Sequence, residues 1–195
     1  MRKFITILLS ITMAISLVAC NDKNVKNNDT NIATEENQTK EETIPVVALG
    51  QVYQTDKYEI TIHGYSWTNK IEPKNPAEFY SYYEADENST MLMINASIKN
   101  VGSEAVNIDS ISYEASINDT YKYKLQTAIE KNGDLGGLAM VKPLEQVDAI
   151  IFTSIPNEAK NSLETIKLFC GYNDDYDNQF DTFDSKQHKI EFALQ

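Results

Sequence analysis

Arginine is nearly missing from this chain: Arg2 is the only one in 195 residues. Without guanidinium forks there is no bidentate grip on phosphate or carboxylate. Basic residues number 17 against 29 acidic ones, a net charge of −12 at pH 7. Nucleic acid and anionic lipid headgroups are therefore poor partners for its surface. Cysteine is almost as rare, with Cys20 and Cys170 alone. Histidine is limited to His63 and His188. The motifs H-E-x-x-H, C-x-x-C and G-x-S-x-G are absent, which removes the common zinc, redox and serine-nucleophile signatures. The only glycine-rich stretch, Asn132-Gly133-Asp134-Leu135-Gly136-Gly137, is not followed by Lys-Ser/Thr, so it reads as a loop and not a phosphate cradle. No apolar run reaches the ~20 residues of a lasting membrane span.

What is present begins with an address. Arg2 and Lys3 precede an apolar stretch from Phe4 to Val18, and Leu17-Val18-Ala19-Cys20 closes it. That order reads as a lipoprotein signal peptide over residues 1–19 with its lipobox. Cys20 would become the first mature residue and carry a thioether-linked diacylglycerol, so that acyl chains of the palmitate kind anchor the protein. Two or more chains suffice for stable attachment. The expected location is the outer face of a bacterial cytoplasmic membrane. Loss of Arg2 and Lys3 leaves 15 lysines against 29 acidic residues, a charge of −14.

Residues 20–45 are the lipidated cysteine and a tether. From Asn21 onward there is no aromatic residue and almost no large apolar one, so too little surface can be buried to offset ordering. A flexible segment of this length reaches about 25–30 Å.

Residues 46–195 carry the folded domain, long enough for one sizeable core. Period-2 alternation recurs through it. Tyr58, Ile60 and Ile62 face one way. Leu92, Ile94, Ala96 and Ile98 share a face, with Asn95, Ser97 and Lys99 opposite. Strands are expected at 105–110, 113–118, 121–126, 149–155, 166–172 and 189–194, with a hairpin turn at Asn118-Asp119-Thr120. Helix is scarce. Asn75-Pro76-Ala77-Glu78 resembles a capping box and predicts one turn through Ser81, and Pro156-Asn157-Glu158-Ala159 suggests another. Cys170 shares a face with Ile166 and Leu168, so it reads as a buried packing residue. The expected fold is an all-β, immunoglobulin-like β-sandwich of about eight or nine strands, with a small barrel as the alternative.

The strand Met91–Asn100 followed by Val101-Gly102-Ser103-Glu104 resembles part of a family. So do Lys142-Pro143 before Ala149-Ile150-Ile151-Phe152, Ile155-Pro156, and the strand ending at Tyr172. The family is the telokin-like, immunoglobulin-like domain of low-GC bacterial lipoproteins, shared with the mycobacterial immunoprotective extracellular antigen. The resemblance covers roughly residues 48–172 and implies a fold and an extracellular address, with no catalytic residues. One departure is Pro143-Leu144, where such domains usually have Pro-Gly.

Two further stretches are candidate sites. In Asn173–Asp181, the residues Asp175, Asp177, Gln179 and Asp181 alternate like an oxygen-rich calcium loop, though the central glycine and closing glutamate are missing. A weak calcium site at Asp175, Asp177 and Asp181 is one reading and a solvated loop the other. Glu78-Phe79-Tyr80-Ser81-Tyr82-Tyr83-Glu84 packs four aromatics into five residues. Phe79 and Tyr83 are expected to pack at the end of the sandwich, leaving Tyr80 and Tyr82 as an exposed recognition patch. The chain thus reads as a non-enzymatic binding module with a protein or polysaccharide of the cell envelope as partner. The alternatives are an accessory subunit or small enzyme acting on envelope polymers, and a ligand-binding lipoprotein attached to a transporter.

Overall fold

The computed structural model describes residues 43–137, 140–174 and 183–195. Cys20, the leader, the tether up to Glu42 and the aspartates Asp175, Asp177 and Asp181 lie outside the described residues. Residues 41–195 form one compact unit.

Fourteen described strands follow in order: β1 (Val46–Ala48), β2 (Val52–Gln54), β3 (Tyr58–Thr68), β4 (Lys70–Ile71), β5 (Tyr83–Glu84), β6 (Ser89–Asn100), β7 (Val106–Asn107), β8 (Ser112–Ile117), β9 (Tyr121–Lys131), β10 (Asp134–Gly136), β11 (Met140–Val141), β12 (Gln146–Pro156), β13 (Ile166–Tyr172) and β14 (His188–Ala193). One short helix, α1 (Asn157–Asn161), links β12 to β13. Nine strands make a continuous hydrogen-bonded path, β1-β14-β13-β8-β9-β12-β6-β3-β2. The turning point is β9. Its first half, Tyr121–Leu125, pairs with β8, while Gln126–Ile129 pairs with β12. A strand that serves two sheets folds the path into a sandwich. Ile60, Ile62, Leu92, Ile94, Ile98 and Ile151 come from one sheet and Ala115, Ile117, Leu168, Ile190 and Phe192 from the other. All are buried in one cluster. The fold is the all-β sandwich expected from alternation. Among the described residues no helix is long and apolar enough to cross a membrane.

Asn100, at the end of β6, is fully buried and ties the β6–β7 connection to β11. Its Nδ2 donates to the Glu104 carbonyl at 2.6 Å and the Val141 carbonyl at 2.9 Å, and its Oδ1 accepts from Gly102 N at 2.9 Å. A buried amide is tolerated because its donors and acceptor are all paired.

Three expectations about these elements change, and the departure at Pro143-Leu144 finds its explanation. The turn of helix at 76–81 does not form, for reasons given with the site below. The strand expected at 105–110 shortens to Val106–Asn107 and passes into a 3-10 turn at Ile108–Ser110, where Asn107 Oδ1 caps Asp109 N. The glycine-rich loop is a hairpin. Asn132 (φ 55°) and Gly133 (φ 76°) make the left-handed pair that a two-residue turn demands, and β10 returns along β9. At Pro143-Leu144, Leu144 takes the positive φ of 65° that glycine would supply, so the turn survives the departure from Pro-Gly.

Candidate functional site

The sheet β2-β3-β6-β12-β9 has an outer face, and its two halves differ. Over one half lie β4 and β5, a two-stranded ribbon. Ile71 and Tyr83 of this ribbon pack on Met91, Met93, Ile150 and Phe152 of the sheet and on Leu135 of β10, forming a second, smaller cluster. Tyr83 meets Phe152 with ring centroids 4.3 Å apart.

The connection between β4 and β5, residues 72–82, is a strap laid along the β9–β10 hairpin. Its backbone N–H groups find partners there. Lys74 N and Asn75 N donate to the two oxygens of Glu130 at 2.8 and 3.3 Å. Ala77 N donates to the Gly133 carbonyl at 2.9 Å. Ser81 N donates to Asp134 Oδ1 at 2.6 Å. These bonds explain the missing helix: the donors a capping box would satisfy are taken by the hairpin, and the chain follows it through bends at 74–75 and 78–79. The approach is close enough that a Cβ at Gly133 would sit 2.5 Å from the Asn75 carbonyl and 2.7 Å from Ala77 N.

The expectation that Phe79 packs at the end of the sandwich is overturned: its side chain is 85 % exposed. Tyr83 is half-buried on Phe152, as the sequence suggested. Tyr82 is 50 % exposed and lies under the Lys70 ammonium, 4.1 Å from its ring centroid. Tyr80 is half-buried and edge-on to Tyr82. Its hydroxyl donates to Glu72 Oε1 at 3.0 Å, and Lys70 Nζ lies 2.7 Å from the same oxygen. The Lys70 and Tyr80 bonds hold the Glu72 carboxyl below its ordinary range and, reciprocally, the Lys70 ammonium and Tyr80 hydroxyl above theirs. The expectation of an exposed Tyr80 is corrected accordingly: its hydroxyl is tied down, and the exposed rings beside this Lys70–Glu72 pair are Phe79 and Tyr82.

The other half of the outer face is bare. In β3 the pairing with β6 slips between Ile62 and Gly64, so His63 is the extra residue of a bulge. Beyond it the inward parity changes, and Tyr65 and Trp67 pack on the main core. The bulge aims His63 at Ser97, with Nε2 to Oγ at 2.7 Å, and Ser97 Oγ donates to Asp148 Oδ1 at 3.1 Å. Here the hydroxyl sits between imidazole and carboxylate. In a hydrolase triad the imidazole stands in the middle and the serine on a strained turn; Ser97 is on a regular strand. A cavity of about 260 Å³ opens beside this chain, lined by His63, Asn95 and Asp148 with Lys74 and Glu130. A neighbouring one of about 500 Å³ shares Lys74, Glu130 and Asp148 and continues past Asn132 and Gln146.

Elsewhere, Cys170 is fully buried beside Tyr113, and burial pushes its thiol well up. His188 stacks on Tyr172 and bonds Asp174 at 2.9 Å. Burial pushes the Tyr172 hydroxyl up to about 12. Among the described residues no group of three or more His, Cys, Asp or Glu side chains is placed to hold a metal.

Sequence reasoning singled out Tyr80 and Tyr82, and the strap carries both. It missed Phe79 as an exposed ring, and it missed the trough. Gly64 inside a strand was the available signal for the bulge.

No family model and no curated protein matches the sequence. Among solved structures, an uncharacterised β-sandwich protein from Clostridium difficile superposes with a TM-score of 0.64 at 25% identity, over 82% of this chain and 100% of that one. The chain shares that sandwich. Two Bacillus subtilis proteins align more loosely. The yjhA protein gives a TM-score of 0.47 at 14% identity, covering 76% of this chain and 99% of that one. The candidate lipoprotein ycdA gives 0.41 at 14% identity, covering 73% and 38%. Likeness at the level of these last two fixes nothing about function.

Proposed function

We propose that this chain is a membrane-anchored, extracytoplasmic lipoprotein whose β-sandwich is a non-catalytic binding module of the cell envelope, of the telokin-like kind its strand motifs resemble. The anchor rests on Leu17-Val18-Ala19-Cys20 after an apolar leader. The binding role rests on one observation: Phe79, 85 % exposed, is displayed on a strap fixed to its hairpin by four backbone hydrogen bonds. A large ring in water costs free energy, and a pinned loop gives up little entropy when a partner covers it. Tyr82 beside it adds contact area of the kind that recognition surfaces use. The expected partner is a protein or polysaccharide of the envelope.

The test is capture from intact cells by crosslinking, comparing the parent chain with Phe79→Ser and Tyr82→Ser. Phe79→Ser should abolish the dominant crosslinked species while leaving thermal stability unchanged, because the ring packs on little. Undiminished capture by both variants would remove the binding role from the strap. Cys20→Ser should release the protein from membranes, and a variant that stays membrane-bound in processed form would refute the anchor.

A further inference from the structure

We infer that the trough beside His63 is a second ligand site, and that its ligand is a neutral glycan bearing hydroxyl and acetamido groups. The inference rests on the proposed binding role and names its chemistry. Three observations carry it. The first is room: two adjoining cavities of about 260 and 500 Å³ share Lys74, Glu130 and Asp148, which makes one elongated trough. Elongation suits a chain ligand. The second is the bulge at His63. Bulges re-aim side chains and recur beside functional sites, and this one turns an imidazole onto the His63–Ser97–Asp148 line.

The third is mixed charge. Lys74 and Lys131 line the trough together with Glu130, Glu145 and Asp148, so charges of both signs are present with the acidic ones in slight excess. Glu130 is occupied by two strap N–H groups, and Glu145 accepts from Lys142 N at 2.8 Å. An anionic ligand would meet Glu130 and Asp148, and a cationic one would meet the lysines. The remaining polar lining is the amides of Asn95, Asn132 and Gln146 and the imidazole of His63, with the exposed Met140 side chain beside them. Amides and a carboxylate with spare lone pairs match vicinal hydroxyls and acetamido groups. Lys74 and Phe79 sit on the same strap five residues apart, at most about 18 Å along the chain. A sugar chain in the trough could therefore reach a ring on which a pyranose face stacks.

The experiment titrates the purified full chain in detergent with chitotetraose, the tetramer of N-acetylglucosamine, and in parallel with tetralysine. Nuclear magnetic resonance follows the Asn95 side-chain amide and the His63 ring. Chitotetraose should shift both saturably, and His63→Ala and Asp148→Asn should each weaken it at least tenfold without altering thermal stability. Phe79→Ser should weaken it less. Saturable shifts with tetralysine but not the sugar would overturn the inference, because the trough would be a peptide site. No shift at these residues with either probe, while Phe79→Ser still abolishes envelope capture, would also overturn it and leave the proposed function standing.

Discussion

The sheet of β3, β6 and β12 presents two faces made from the same strands, and they do different work. On the inner face Ile60, Ile62, Leu92, Ile94, Ile98 and Ile151 are all fully buried and continuous with the second sheet. On the outer face the apolar residues stop half-way. Met91, Met93, Ile150 and Phe152 are covered by the β4–β5 ribbon, whereas Asn95 and Asp148 are exposed and Ser97 is only half-buried. The inner face is specified along its whole length by folding. The outer face is specified by folding only where a local element lies on it, which leaves the rest free for a site. Local elements of this kind open at lower free energy than the global core.

The largest test of that contrast is a pair of substitutions. Leu92→Ala removes a fully buried side chain from the inner face and should cost about 2–5 kcal/mol of global stability. Gly133→Ala acts on the outer face only. Its Cβ meets the Asn75 and Ala77 backbone, and its φ of 76° disfavours any side chain by about 1–2 kcal/mol. The strap should lift, exposing the Ala77 and Ser81 amides to exchange, while the global transition moves little. If Gly133→Ala lowered global stability as far as Leu92→Ala, the strap would belong to the core and the contrast would fail.

Legibility in the sequence follows the same division. The inner face was readable because Leu92, Ile94, Ala96 and Ile98 alternate strictly with Asn95, Ser97 and Lys99. The cover on the outer face left a trace too: Met91 and Met93 are apolar where alternation calls for polar residues, as are Ile150 and Phe152. What lies on them could not be read. The ribbon pairs Lys70-Ile71 with Tyr83-Glu84 across a connection that looked like a capped helix, and that local signal was overridden by Glu130, Gly133 and Asp134, some fifty residues away. The trough is equally non-local, since His63, Ser97 and Asp148 meet only through strand register.

A smaller test concerns the turn that leads into β12. Leu144 holds φ 65° with its side chain in water, and its N–H donates to the Asn100 carbonyl at 2.8 Å. Leu144→Gly should relieve the left-handed strain and raise global stability by about 1 kcal/mol, read in denaturant unfolding. This turn closes the end of the inner core, so the gain should appear in the global transition and leave strap amide exchange unchanged. A gain confined to the strap would place the turn on the wrong side of the comparison.

The smallest effect expected is a titration. Asp134 accepts from Ser81 N at 2.6 Å and Leu135 N at 2.9 Å. These bonds, Ser81 first, hold its carboxyl below the ordinary 3.8. A carboxyl whose pKa falls on folding stabilises the folded form above its unfolded pKa, and that contribution is lost as pH falls through the folded value. The strap should therefore be fully docked at neutral pH and loosen only below about pH 4. Because Asp134 is at the surface, the loss is screened and local. The Ser81 amide proton should move upfield with a midpoint below 3.8, while amides of the inner strands such as Ile94 hold their positions across the same range. Asp134→Asn should abolish the Ser81 titration, since an amide accepts the same bond without ionising. Were Ile94 to titrate together with Ser81, the outer-face strap and the inner core would be one cooperative unit, and the independence on which the site depends would be lost.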